Sequence, residues 1–390
     1  MPEMPEMRAN WNYPTQISVG AGRINELSSA CKQLGMQSPL IVTDPGLAVL
    51  PMINEAVSSC HEAGLRCGLF SHIQSNPTGQ NVSDGVNAYR ADGHDGVIAF
   101  GGGSALDAGK AVALMAGQDL PLWDFEDVGD NWTRVNVDGI APIVAIPTTA
   151  GTGSEVGRAS VITDTEHQIK KIIFHPKMLP SRVILDPELT RELPAKITAA
   201  TGMDALSHNL EAYCAPSYHP MADGIAMEGI RRVKDYLPRV VENGNDLEAR
   251  TEMLVASLMG ATAFQKGLGG MHAIAHSLGA VYGAHHGLLN AILMPYILKA
   301  NQDVITPRIE RLGSYLQLSD SSFDGFLTWV LTIRHQVGIP HDLSAIDIDA
   351  TQVERIGNMA AIDAAAGGNP IAFSAERYAE IFTNAVNGKL

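Results

Sequence analysis

Short runs rich in β-branched and other apolar residues recur through the first half of the chain: PLIVTD (39–44), RCGLFS (66–71), GVIAF (96–100), PIVAIP (142–147) and RVILDP (182–187). Amphipathic stretches separate several of them, and this alternation predicts a parallel sheet whose strands are joined by helical crossovers. Beyond about residue 194 the β-rich runs stop. Helical patterning replaces them, as in LVASLMGATAFQ (254–265) and AILMPYILKA (291–300), which predicts an all-helical second half. Asp186-Pro187 closes the last strand run, and Leu193-Pro194 opens the first long helix where a missing N–H is tolerated. The expected organisation is an α/β Rossmann-like domain over 1–193 and an all-α domain over 194–390. Ligands of open α/β folds usually sit at the carboxyl ends of the strands, so the expected active-site cleft lies there, against the helical domain.

Charge and composition narrow the function. With 42 acidic and 27 basic residues the formal net charge is -15, which repels nucleic-acid phosphates and anionic lipid head groups and argues against either partner. No apolar run is long enough to span a bilayer, and the MPEMPEM start reads as a frayed tail without secretory character. Four cysteines, Cys31, Cys60, Cys67 and Cys214, have no CxxC spacing, so neither a disulfide framework nor a thiolate metal site is expected, and a reducing cytoplasm fits.

Three segments carry the marks of dinucleotide binding. FGGGSALDAGK (100–110) joins an apolar strand to a helix: glycines admit a phosphate to the backbone, the helix start offers unpaired N–H groups, and Ser104 is placed to cap the helix and donate to an oxygen. Asp44 ends the run PLIVTD, where a carboxylate can accept from ribose hydroxyls and repel the extra phosphate of NADP, although aspartates at strand ends also serve as plain helix caps. Here the acid precedes the glycine loop, whereas it follows by roughly twenty residues in the Rossmann fingerprint, so a plain GxGxxG protein is excluded. The third segment, IPTTAGTGSE (146–155), offers small hydroxyl residues and glycines suited to a pyrophosphate or a ribose, or to a simple turn.

Five of the thirteen histidines fall in TGMDALSHNLEAY (201–213) and GMHAIAHSLGAVYGAHHG (270–287). Asp204 and His208 are four apart, as are His272 and His276, so each pair shares one helical face. Two such helices, with His285 or His286 completing the set, make a carboxylate–imidazole site for Fe(II), Zn(II) or a similar divalent ion. A metal beside a nicotinamide implies hydride exchange between an alcohol and an aldehyde, with His276 as a proton relay. Isolated histidines such as His61, His94 and His335 read as ordinary hydrogen-bonded residues.

Taken together, YPTQISVGAG (13–22), SNPT (75–78), GGGSALDAGK, PTTAGTGSE, VITD (161–164), GMDALSHNLEAY, GLGGMHAIAHSLGA and HHG resemble the iron-containing, or group III, alcohol dehydrogenases over nearly the whole chain. The resemblance implies metal ligands at Asp204, His208, His272 and His286. It implies NAD contacts at Asp44, Asn76, Gly102, Gly103, Ser104, Thr148, Thr149 and Lys170, a catalytic His276, an alcohol or aldehyde substrate, and a homodimer or larger homo-oligomer. Iron is the family's usual metal, with zinc or another divalent ion as the alternative. The chain departs from the family at GGNPI (367–371), which lacks a usual arginine, and at Arg158 and Lys266, which replace smaller or neutral residues. If these two cations face the cleft they favour an anionic substrate such as a short semialdehyde. The competing readings are an NAD- and metal-using lyase of the dehydroquinate synthase type and a non-catalytic binding relative.

Overall fold

The computed structural model describes Tyr13 and residues 15–390; the MPEMPEM tail and Pro14 lie outside the described residues. The chain forms two compact units, one built from Tyr13–Thr149 with Gly153–Leu193 and the other from Pro194–Leu390 with the short segment Ala150–Thr152.

In the α/β unit the strands are β1 (Gln16–Val19), β2 (Pro39–Val42), β3 (Gly68–Phe70), β4 (Gly96–Gly101), β5 (Ile143–Pro147), β6 (Ala159–Asp164), β7 (Ile169–Phe174) and β8 (Arg182–Leu185). Six of them form one sheet in the order β1-β8-β5-β4-β2-β3, every pair parallel. β2, β4 and β5 are buried throughout, which explains why they read as unbroken apolar runs rather than alternating ones. The helices are α1 (Leu27–Gln33), α2 (Pro45–Ala48), α3 (Pro51–Glu62), α4 (Gly79–Ala91) and α5 (Gly103–Met115). Residues of α1 and α3 cover one face of the sheet through Ile41, Ile98, Phe100, Val144 and Ile146. α5 takes the opposite face, and it comes so close at Gly109 that a Cβ there would stand 2.6 Å from that of Ala99. Two features exceed the sequence expectation: the edge strand β1, and an antiparallel β6–β7 hairpin outside the main sheet.

The helical unit contains α6 (Ala195–Cys214), α7 (Pro220–Glu242), α8 (Leu247–Ala263), α9 (Gly270–Tyr282), α10 (His286–Tyr315), α11 (Phe323–Gln336), α12 (Val353–Ile362) and α13 (Ala375–Val386). α6 is the central rod, buried without interruption from Thr198 to Cys214. Gly202 lets α7 pack tightly on it, since a Cβ there would lie 2.2 Å from Leu237 Cδ1. Its immersion matters because polar side chains at its centre must find partners inside the unit. Among the described residues no helix is long and apolar enough to cross a membrane.

Candidate metal centre and nucleotide loops

Asp204 and His208 project from α6 one turn apart, His272 from α9, and His286 is the first residue of α10. One donor atom from each of these four lies within 4.8 Å of all the others. His285 takes a different part: it is the N-cap of α10, and its Nδ1 accepts from the Leu288 N–H at 3.3 Å. The helices can converge here because position 287 is glycine, where a Cβ would stand 2.6 Å from the Ala200 carbonyl oxygen and 3.0 Å from Asp204 Cβ.

Hydrogen bonds decide which nitrogen each ring presents. His208 Nδ1 donates to the Gly151 carbonyl at 3.2 Å, and His272 Nδ1 donates to Glu211 Oε2 at 2.6 Å, which leaves both Nε2 lone pairs for a ligand. Asn290 Nδ2 stands 2.8 Å from Asp204 Oδ1, 3.1 Å from His272 Nε2 and 3.2 Å from His286 Nε2, so one amide gathers three of the four donors. Burial holds His208 down to about 4 against the pull of the Asp204 charge, keeping the imidazole neutral. Burial works the same way on His272, but the Glu211 carboxylate, together with the charges of Asp204 and Asp363, outweighs it and the net shift is upward. A divalent cation fits this set: three imidazoles and a carboxylate, no thiolate, in an interior where Asp204 and His272 are only 2% and 0% exposed.

His276 lies one turn beyond His272, its ring centroid 5.3 Å from that of His286 and 5.8 Å from that of His272. Its Nδ1 is 3.1 and 3.2 Å from the two oxygens of Asp363. Burial alone would raise the Asp363 carboxyl, yet His276 holds it below the usual carboxylate range.

The eight cofactor candidates all belong to the α/β unit. Gly101 ends β4 at φ +148°, a conformation open to glycine, and a Cβ there would meet that of Ala105 at 2.7 Å. Gly102 is then the extended N-cap and Gly103 the first residue of α5. Ser104 does not cap the helix, contrary to the sequence expectation: it lies inside the first turn, and its hydroxyl donates to the Ser75 carbonyl. Thr148 N–H donates to the Gly101 carbonyl at 3.0 Å, and Thr149 lies against Gly102, so the ends of the neighbouring strands β4 and β5 form one surface. Asp44 is the N-cap of α2, its Oδ1 accepting from Gly46 and Leu47 at 2.9 and 3.0 Å, while Oδ2 points toward Gly101, 3.7 Å from where a Cβ would be. Asn76, half-buried, follows Ser75 in the bend before α4. Lys170, also half-buried, is paired across the hairpin with Thr163, whose N–H donates to the Pro77 carbonyl at 2.7 Å.

Several polar residues at these places escaped the sequence reading. Asp107 accepts from Ser154 Oγ at 2.6 Å and Val161 N at 2.9 Å and pairs with the buried Lys110 at 3.2 Å, which ties α5 to the GTGSE loop. Glu211 and Asn290 continue the helical spacing of His208 and His286 and were detectable on that ground; Asp363 is brought in only by the fold.

The two added cations separate. Lys266 is buried in the helical unit, ion-paired with Asp223 and donating to the Tyr213 carbonyl at 3.2 Å, so its charge is met inside that unit. Arg158 is half-buried with its guanidinium over the Phe174 ring, 5.6 Å from the centroid, and near the charge of Asp127. At the altered late motif, Asn369 accepts from Gly270 N at 3.0 Å and bonds Asn301, an anchor for α9.

Residues 14–187 match the model of a family described as iron-containing alcohol dehydrogenase, and residues 198–386 match the C-terminal model of the Fe-containing alcohol dehydrogenase family. The chain is 37% identical over 376 residues to the 4-hydroxybutyrate dehydrogenase of Cupriavidus necator, covering 94% of this chain and 97% of that one. It is 34% identical to the NAD-dependent methanol dehydrogenase of Bacillus methanolicus, over 97% of this chain and 100% of the relative. The crystal structure of a 1,3-propanediol oxidoreductase superposes with a TM-score of 0.92 at 32% identity, over 97% of this chain and 100% of that one.

Proposed function

Because the chain belongs to the iron-containing alcohol dehydrogenase family and is an NAD-dependent enzyme of that type, we infer that Asp204, His208, His272 and His286 hold a divalent metal, iron by preference, at which a short primary alcohol and its aldehyde are interconverted. The observation that carries this reading is the convergence of those four donors within 4.8 Å, with Asp204, His208 and His272 buried and His286 half-buried. When bound, the metal supplies Lewis-acid polarisation of the substrate oxygen, and the nicotinamide takes up or returns hydride.

The chain's own residues supply the rest. The first turn of α5 presents backbone N–H groups to the pyrophosphate, with Gly102, Gly103 and Ser104 leaving room for its approach. Thr148 and Thr149 border the nicotinamide ribose, Asn76 and Lys170 complete the cradle, and Asp44 binds the adenosine ribose through Oδ2 while its other oxygen caps α2. His276, with Nδ1–H directed at Asp363, keeps Nε2 free to accept the alcohol proton and return it in the reverse direction. A short hydroxy acid and its semialdehyde form the finer substrate class, supported by Arg158 and by the acid named for the C. necator relative. The proposed setting is a homo-oligomer in a reducing cytoplasm, in keeping with four buried free cysteines. The test is to reconstitute the metal-free protein anaerobically with Fe(II) or Zn(II) and follow NADH absorbance with short alcohols and acidic and neutral aldehydes. Net NADH formation from an alcohol supports a dehydrogenase; tightly bound NAD with no net turnover points to a lyase.

A further inference from the structure

Asp204, His208 and Glu211 form one stripe along α6, and the third member has a carboxylate saturated by α9. Glu211 Oε1 accepts from Met271 N at 2.7 Å; Oε2 accepts from Gly269 N at 2.8 Å and from His272 Nδ1 at 2.6 Å. Gly269, the N-cap of α9, has no side chain to cap with, and a Cβ there would lie 2.9 Å from Glu211 Oε1. The cap therefore comes from another helix, and its negative charge meets the positive end of the α9 dipole.

We propose that Glu211 is the positioning residue of the metal centre: it anchors the first turn of α9 to α6 and fixes the His272 proton on Nδ1, so that Nε2 faces Asp204 and His286 as a lone pair. The inference rests on the metal reading above. A capping role alone would be met by the two backbone N–H groups. The third bond, to the imidazole, is what selects the tautomer, and carboxylates that orient metal-bound histidines in this way typically change metal affinity by about 10–100-fold when altered. Glu211 itself touches neither substrate nor cofactor in this scheme. Glutamine at 211 keeps the shape but brings an NH₂ group to donors; where that group meets His272 Nδ1, the ring proton moves to Nε2 and blocks the donor atom.

The experiment uses the full chain, freed of metal by chelation, with Zn(II) as the probe. Histidine ring ¹⁵N NMR of the unaltered metal-free protein, at a pH where the His272 ring is neutral, is expected to place its single proton on Nδ1, and finding it on Nε2 overturns the proposal whether or not any variant folds. Chelator-buffered titration of Glu211→Gln is expected to show Zn(II) affinity lower by about 10–100-fold, with NADH affinity unchanged as evidence of an intact α/β unit. Unaltered Zn(II) affinity in Glu211→Gln, beside strong loss in His272→Ala, defeats the role of Glu211 and leaves the metal reading standing. Unaltered affinity in both variants defeats the metal reading itself.

Discussion

Glu155 is sealed inside the α/β unit, and burial pushes its carboxyl up to about 7 against the opposing pull of a backbone hydrogen bond and Lys110. In the unfolded chain the same group ionises near 4.5. Between those values the unfolded state releases a proton that the folded state keeps, so the contribution of Glu155 to stability declines as pH rises from about 4.5 to about 7 and stays low above. Glu155→Gln, which stays neutral, is expected to be more stable than the parent at pH 8 by up to about 3 kcal/mol at ~1.4 kcal/mol per pH unit, and nearly equal to it at pH 4. Urea denaturation at the two pH values checks this; a gap of the same size at both contradicts the account. The two unusual cations make a second pair of contrasts. Lys266→Ala strips Asp223 of a buried partner while Arg308 remains 3.3 Å away, so a loss of roughly 1–3 kcal/mol in stability is expected, with no change in preference between acidic and neutral aldehydes. Arg158→Ala is expected to raise KM for succinic semialdehyde several-fold and leave butanal unchanged. A preference that shifts with Lys266 instead would return that residue to the substrate.

Element contacts decide how well the donors meet. Gly287→Ala places a methyl group against the Ala200 carbonyl and Asp204 Cβ, so α10 must move off α6 and carry His286 away from Asp204. Metal affinity is expected to fall by at least about tenfold while stability drops by only about 1–3 kcal/mol, the usual range for overpacking; competition titration and thermal melting separate the two effects. The buried strands β2, β4 and β5 were legible in the sequence because each is an unbroken apolar run, and the donor helices because their polar residues recur at helical spacing. β1 was not, since QISV is short and only half-buried, and β7 was obscured by Lys170 and Lys171 in the middle of IKKIIF. The error at Ser104 is one of boundary: α5 begins two residues earlier than the serine suggests, which moves its hydroxyl from the cap into the first turn. Asp363 reaches His276 from 87 residues away, a separation that no local pattern encodes.

On the scale of the whole molecule, the proposed metal donors belong to the helical unit and the proposed cofactor residues to the α/β unit, so a change in one set is expected to leave binding at the other unmoved. Asp44→Gly removes the carboxylate that disfavours a 2′-phosphate, so NADPH is expected to bind at least about tenfold tighter than to the parent, a gain of ~1.4 kcal/mol, with Zn(II) affinity unmoved. Fluorescence titration of both cofactors decides this, and NADPH affinity that stays the same would remove Asp44 from the ribose site. The proposed chemistry depends on the helical unit holding an ion at four named side chains. The most direct test is equilibrium dialysis of the metal-free chain against Fe(II) under anaerobic conditions and against Zn(II), with metal content measured for the parent and for Asp204→Ala, His208→Ala, His272→Ala and His286→Ala. About one ion per parent chain is expected with either metal, with loss of tight binding in each variant and NADH affinity retained in all four. Stoichiometric metal in any variant at parental affinity, or none in the parent, would contradict the metal reading.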